Sequence, residues 1–147
     1  MTGDFGNVRG FIKETCKILG IEPPNMLFDM SAAATDTTLA LCSSDGKEIR
    51  IRKEKPTIDT YFAVAHELRH VWQIRTAPNI WLKDYKTRDE LDFEAYNLQP
   101  AEIDANAFAT IAILNVFRRR PLFHGYPDYI RAKIYDRARE ISQEEDE

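Results

Sequence analysis

The stretch from about Thr57 to Arg75 constrains this chain more than any other. Ile58, Phe62, Ala65, Leu68 and Trp72 recur at helical spacing and form one apolar stripe. Val64, Val71 and Ile74 are apolar on the other faces. A helix that is apolar all round sits at the centre of a fold, covered on several sides. Yet this one carries His66, Glu67 and His70. Two imidazoles buried there without a partner would each lose hydrogen bonds to water, so something else in the chain must satisfy them.

The remaining segments supply the covering layers. Val8, Phe11, Ile12, Thr15, Ile18 and Leu19 mark a first helix over residues 5 to 19, stopped by Gly20 and then by Pro23-Pro24. Asn25 to Met30 suits a short strand. Thr37 to Lys53 reads as a hairpin: Leu39 and Leu41 in one arm and Ile49 and Ile51 in the other share an apolar face, while Arg50 and Arg52 face water. Ser44-Asp45-Gly46 supplies the turn, with Asp-Gly providing positive backbone angles. Residues 77 to 100 are the least regular, with a charged Thr87-to-Glu94 stretch able to form a helix, and a lid over a site could lie in such a segment. A helix from about Ala101 to Phe117 follows. A last amphipathic helix spans about Asp128 to Ile141, with Ile130, Ile134, Ala138 and Ile141 inward. The expected architecture is α+β, a small antiparallel sheet packed on a helical core.

The 147 residues fit one domain, 1–147, with no internal repeat and with Gln143 to Glu147 reading as a frayed acidic tail that begins near Ser142. Hydrophobic residues at 44% and charged residues at 30% are globular values, which argues against disorder. A net charge of −4 disfavours nucleic acid as a direct partner, and the short Arg118-Arg119-Arg120 run reads as a solvated helix end. Cys16 and Cys42 are too few for a disulfide framework, and no apolar run has the length of a membrane span. Gly3, Asp4, Gly6 and Asn7 form neither the basic nor the apolar part of a signal peptide, so a reducing cytoplasm is the expected location.

The chemistry is carried by His66-Glu67-Leu68-Arg69-His70. Histidines four apart on a helix lie one turn apart on one face, so two ring nitrogens can reach one ion. Glu67 points elsewhere and stands beside that ion as a general base for its water, whose pKa zinc lowers to about 7. Catalytic zinc takes three protein ligands and keeps one position open. Glu102 is the expected third ligand. Asn106, one turn further on, can hold a ligand histidine by its second ring nitrogen. Ala105 and Ala109 leave room for the two helices to approach closely. The rivals for third ligand are Asp104, about 200° round the helix from Glu102, and His124 in the Pro121-to-Gly125 loop. For the oxyanion, Tyr85, Tyr96, His124 and Tyr126 are candidate donors, with Tyr96 and His124 preferred.

Two segments, Ala65-His66-Glu67-Leu68-Arg69-His70 and Glu102-x-Asp104-Ala105-Asn106-x-Phe108-Ala109, resemble the ImmA/IrrE family of small zinc metallopeptidases in the gluzincin group. The resemblance covers roughly residues 35 to 118 and does not extend to residues 121 to 147. It implies a minimal gluzincin-like domain with one zinc held by His66, His70 and Glu102, and Glu67 as general base. The family includes proteases that cleave helix-turn-helix repressors, so a separate transcriptional regulator is an expected protein substrate. One residue departs from the family pattern: Arg69 stands just before the second histidine, where the family often has Gly, and it can pair with an acid or narrow the cleft.

The expected function is therefore peptide-bond hydrolysis, with the substrate strand paired along an exposed sheet edge. The alternative is a decayed peptidase that binds zinc and grips a protein partner without catalysis. A hydrolase acting on a non-peptide amide is a third reading.

Overall fold

The computed structural model describes residues 5–30, 38–54 and 56–145. In chain order the elements are α1 (Phe5–Leu19), β1 (Asn25–Met30), β2 (Ala40–Cys42), β3 (Glu48–Arg52), α2 (Ile58–Thr76), α3 (Pro78–Trp81), α4 (Phe93–Asn97), α5 (Pro100–Phe117) and α6 (Asp128–Glu145). This is the α+β class expected, a small sheet on a helical core. Among the described residues no helix is long and apolar enough to cross a membrane.

Helix α2 lies at the centre. Its largest interface is with α5, and α1, β2, β3 and α3 cover its other faces. Val64, Ala65, Leu68 and Val71 have no exposed surface. The face it turns to α5 meets small residues at helical spacing: Ala101, Ala105 and Ala109 are all fully buried. Helix α6 then packs on α5 through Ile130, Ile134 and Ile141.

Helix α1 buries Val8, Phe11, Ile12, Thr15, Cys16 and Leu19. Ile18, expected in that stripe, is instead 64% exposed. It stands ten residues after Val8, about 280° round the helix, and Cys16 occupies the inward position. Gly20, at φ 70°, closes the helix: the Ile21 N–H donates to the Cys16 carbonyl at 3.0 Å.

The sheet order is β1-β3-β2. β2 and β3 form the expected antiparallel hairpin, but β1 joins β3 in parallel, so the sheet is mixed rather than antiparallel throughout. The hairpin register also moves Leu41. It pairs with Arg50 on the outer face and is 52% exposed, while Ala40 and Cys42 oppose Ile51 and Ile49 on the core side. Thr37, the expected start of the hairpin, lies outside the described residues.

The turn needs one left-handed residue, not two: Gly46 has φ 72°, and Asp45 is not left-handed. The Asp45 carboxylate accepts from the Ser43 hydroxyl at 2.7 Å and from the Lys47 N–H at 3.0 Å, which closes a longer loop. Residues 77 to 100 hold two short helices, α3 and α4, and most of the charged Thr87-to-Glu94 stretch is not helical: α4 begins only at Phe93, where the Asp92 side chain caps it by accepting from the Ala95 N–H at 2.8 Å. At the other end of the chain α6 continues to Glu145, into the stretch expected to fray. Arg137 holds the last turns by pairing with Glu140 at 3.0 Å and Glu144 at 3.6 Å. Asp146 and Glu147 lie outside the described residues.

Two glycines give opposite predictions. A Cβ on Gly46 would meet Ile74 Cγ2 at 3.2 Å and force a left-handed backbone on alanine. Gly46→Ala should therefore lose about 1–2 kcal/mol, read as a lower thermal midpoint. Gly10 lies inside α1 with nothing within 4 Å of its Cβ position. Gly10→Ala should gain about 0.5–1 kcal/mol in the same measurement.

Candidate metal centre

The regular geometry of α2 puts His66 and His70 one turn apart, with their Nε2 atoms 3.1 Å from each other. Helix α5 approaches over its alanines and inserts Glu102 from its first turn. Glu102 Oε1 lies 3.2 Å from His66 Nε2, and Oε2 lies 3.0 Å from His70 Nε2. The three ligand atoms lie within 4.8 Å of one another, as a metal site requires. Asn106 takes the expected place: its Oδ1 is 2.8 Å from His66 Nδ1.

The other ring nitrogens decide what the cluster can hold. His70 Nδ1 faces Gln73 Oε1 at 2.8 Å. In the neutral imidazoles, donation by each Nδ1–H to an amide oxygen leaves both Nε2 atoms as bare lone pairs. Those two lone pairs then point at each other and at a carboxylate. Such a set lacks a positive charge at its centre, and a cation fits it. The same demand acts on the imidazole. Burial lowers the pKa of His70, but the hydrogen bond and charge of Glu102, together with the charge of Glu67, outweigh it and push the value up to about 9. Glu102 is correspondingly held far below the usual carboxylate range. Its burial opposes this, and the charges and hydrogen bonds of His66 and His70 prevail.

Glu67 stands beside these three residues. Its Oε1 accepts from the Cys42 N–H on β2 at 3.0 Å, and its Oε2 lies 3.7 Å from His66 Nε2. The side chains of His66 and Glu67 keep 14% and 15% exposure, against 2% for Glu102, so the centre opens on the His66–Glu67 side.

Of the rival ligands, Asp104 turns away from the cluster and accepts from Arg69 through both oxygens, at 2.7 and 3.0 Å. Arg69 is itself buried, its guanidinium 3.8 Å from the Trp72 ring centroid, so it pairs with an acid and leaves the cleft clear. His124 is exposed and contributes no ligand. The preceding Phe123 has φ 52° and stacks its ring on Phe62 and Tyr126, which sends His124 outward.

The aromatic donors also sort differently from expectation. The Tyr85 hydroxyl donates to Glu102 Oε2 at 2.6 Å. Tyr96 stands behind it, hydroxyl to hydroxyl at 3.1 Å, and Tyr126 donates to Asn97. Tyr85 is placed by a clamp: Gln99, just before α5, accepts from the Lys86 N–H at 2.7 Å and donates to the Lys86 carbonyl at 3.0 Å. Burial and the neighbouring Glu102 raise the Tyr85 pKa, so the phenol stays protonated as a donor. Gln73 was not singled out in the sequence, although its i+3 spacing from His70 is a readable signal. No protein-family model, curated protein or solved structure matches the chain.

If these residues form a metal centre, Glu102→Gln should lower the affinity for a divalent transition metal by more than about 100-fold, above the range for outer partners. Chelator competition measures this. Above the His70 pKa of about 9 the apo protein should keep its thermal midpoint, because there the Gln amide can donate to a neutral imidazole nitrogen.

Proposed function

We propose that this chain is a zinc-dependent metallopeptidase of the kind its resemblance to the ImmA/IrrE family implies. One observation carries the reading: two imidazole nitrogens and a buried carboxylate converge, with a second carboxylate held beside them on the open side. His66, His70 and Glu102 would hold the ion, and two imidazoles with one carboxylate suit zinc. When bound, zinc supplies a Lewis acid and a water that ionises near neutral pH.

The chain's own residues supply the remaining roles. The Cys42 N–H fixes one Glu67 oxygen, so the other is free to take a proton from the attacking water and pass it to the departing amine. The Leu39 carbonyl and the Ser43 N–H are spent on β3, and the Cys42 N–H points to the opposite edge of β2. A substrate strand pairing along that edge would bring its main chain to Glu67 with little demand on its sequence. Tyr85, the donor nearest the ligand oxygens, is the group best placed to stabilise an oxyanion. The substrate would be a protein or peptide, with a transcriptional regulator on a separate chain as the first to try.

Two measurements test the reading. Purified protein should carry about one zinc per chain. Glu67→Gln should keep that zinc and lower kcat by about 10²–10⁴-fold. Zinc-free native protein, or full activity in Glu67→Gln, overturns the proposal. A zinc-loaded wild type that cleaves no member of a panel of peptides and repressors leaves the non-catalytic binding module in its place.

A further inference from the structure

Resting on the zinc reading above, we infer that Gln73 is a positioning residue for His70, locked by a cluster of buried Asp104 and Arg69 with partly buried Arg137. Through that cluster α6 tunes the affinity of a metal centre to which it contributes no ligand.

The link to His70 is the Gln73 amide. A glutamine amide can turn over and exchange its oxygen for its nitrogen. This one is fixed. Its Nε2 donates to the Ala101 carbonyl at 3.0 Å and to Asp104 Oδ2 at 2.8 Å, and neither partner can donate in return. A turned amide would set its oxygen against two other oxygens. Oε1 therefore stays on His70 Nδ1, which must carry the proton, and His70 Nε2 is held as a lone pair aimed at the ligand cluster. Gln73 has no exposed surface, so water cannot replace any of these bonds.

Asp104 is held as firmly as it holds Gln73. Oδ2 accepts from Arg69 Nε at 2.7 Å and from Gln73, while Oδ1 accepts from Arg69 Nη2 at 3.0 Å and from Arg137 Nε at 2.8 Å. Four donors serve the roughly four acceptor sites of a carboxylate, so each bond constrains the rest. Arg69 adjoins His70 on α2, in the position where the resembling family often has Gly. Arg137 comes from α6, beyond the residues that the resemblance covers. A path of hydrogen bonds thus runs from α6 through Asp104 and Gln73 to a metal ligand. It belongs to this chain's own sequence.

A purely structural tie between α2, α5 and α6 would stabilise the fold and leave metal affinity unchanged. The test is Co(II) binding to the full chain, followed by visible absorption and chelator competition, with the thermal midpoint of the apo protein measured in parallel. Gln73→Met keeps the length and removes the amide. Its Co(II) affinity should fall about 10–100-fold, with a shifted absorption band. Arg137→Met should lie between wild type and Gln73→Met, and Arg137→Lys should recover most of the loss. Ile113→Ala, a core truncation on α5, should lower the midpoint and leave Co(II) affinity unchanged. The inference is overturned if Gln73→Met binds Co(II) within twofold of wild type, or if Ile113→Ala weakens it as much. If Gln73→Met does not fold, the two Arg137 variants decide by the same criterion. Wild type that binds no Co(II) would overturn both the inference and the zinc reading, whereas failure of the variants alone overturns only the inference.

Discussion

Electron-pair donors repel when they converge without a hydrogen between them. Here two imidazole nitrogens approach to 3.1 Å, and a carboxylate closes on both at 3.0 and 3.2 Å. Only a rigid scaffold keeps such groups together. The scaffold is the pair α2 and α5, and its closeness comes from the fully buried alanines at 101, 105 and 109. Larger side chains at these positions would hold the helices apart and withdraw Glu102 from the histidines. Pro100 at the start of α5 supports the same placement, because it sets the first-turn geometry in which Glu102 stands.

Polar groups at the centre of a fold have to be satisfied by the fold itself. Each histidine finds an amide oxygen, one from its own helix and one from α5. Asp104 is balanced by two arginines: Arg137 keeps part of its surface, and the burial of Arg69 is tolerable because it also lies against Trp72 and Phe108. This explains how a helix apolar on nearly every face can carry an ion-binding motif. The histidines and Arg69 face a second helix, whose Glu102, Asp104 and Asn106 meet them.

Features that depend on helical spacing were legible in the sequence. His66 and His70, and likewise Glu102 and Asn106, stand four residues apart, and one period puts each pair on one face. The buried faces of α1, α2 and α6 follow from the same rule, apart from Ile18. Features that depend on strand register or on long-range approach were not legible. The exposure of Leu41 is set by its pairing with Arg50, and the parallel attachment of β1 is set by packing. Tyr85 reaches Glu102 through a clamp between Gln99 and Lys86. Arg137 reaches Asp104 across 33 residues. The Cys42 contact is made by a backbone N–H, to which side-chain identity gives no clue.

That backbone contact has a consequence for how the site would work. A side-chain partner for Glu67 could rotate away, but a strand N–H moves only with the strand. The base is therefore tied to β2, the edge along which a substrate strand would pair. Displacement of that edge would move the base and the paired main chain together, so their relative position would survive small motions of the sheet. The histidines are fixed independently, by α5 and by Gln73. The site thus joins two parts, a helix pair that holds His66, His70 and Glu102 and a sheet edge that holds Glu67. They meet where His66 and Glu67 keep their exposure, the side from which a substrate can enter.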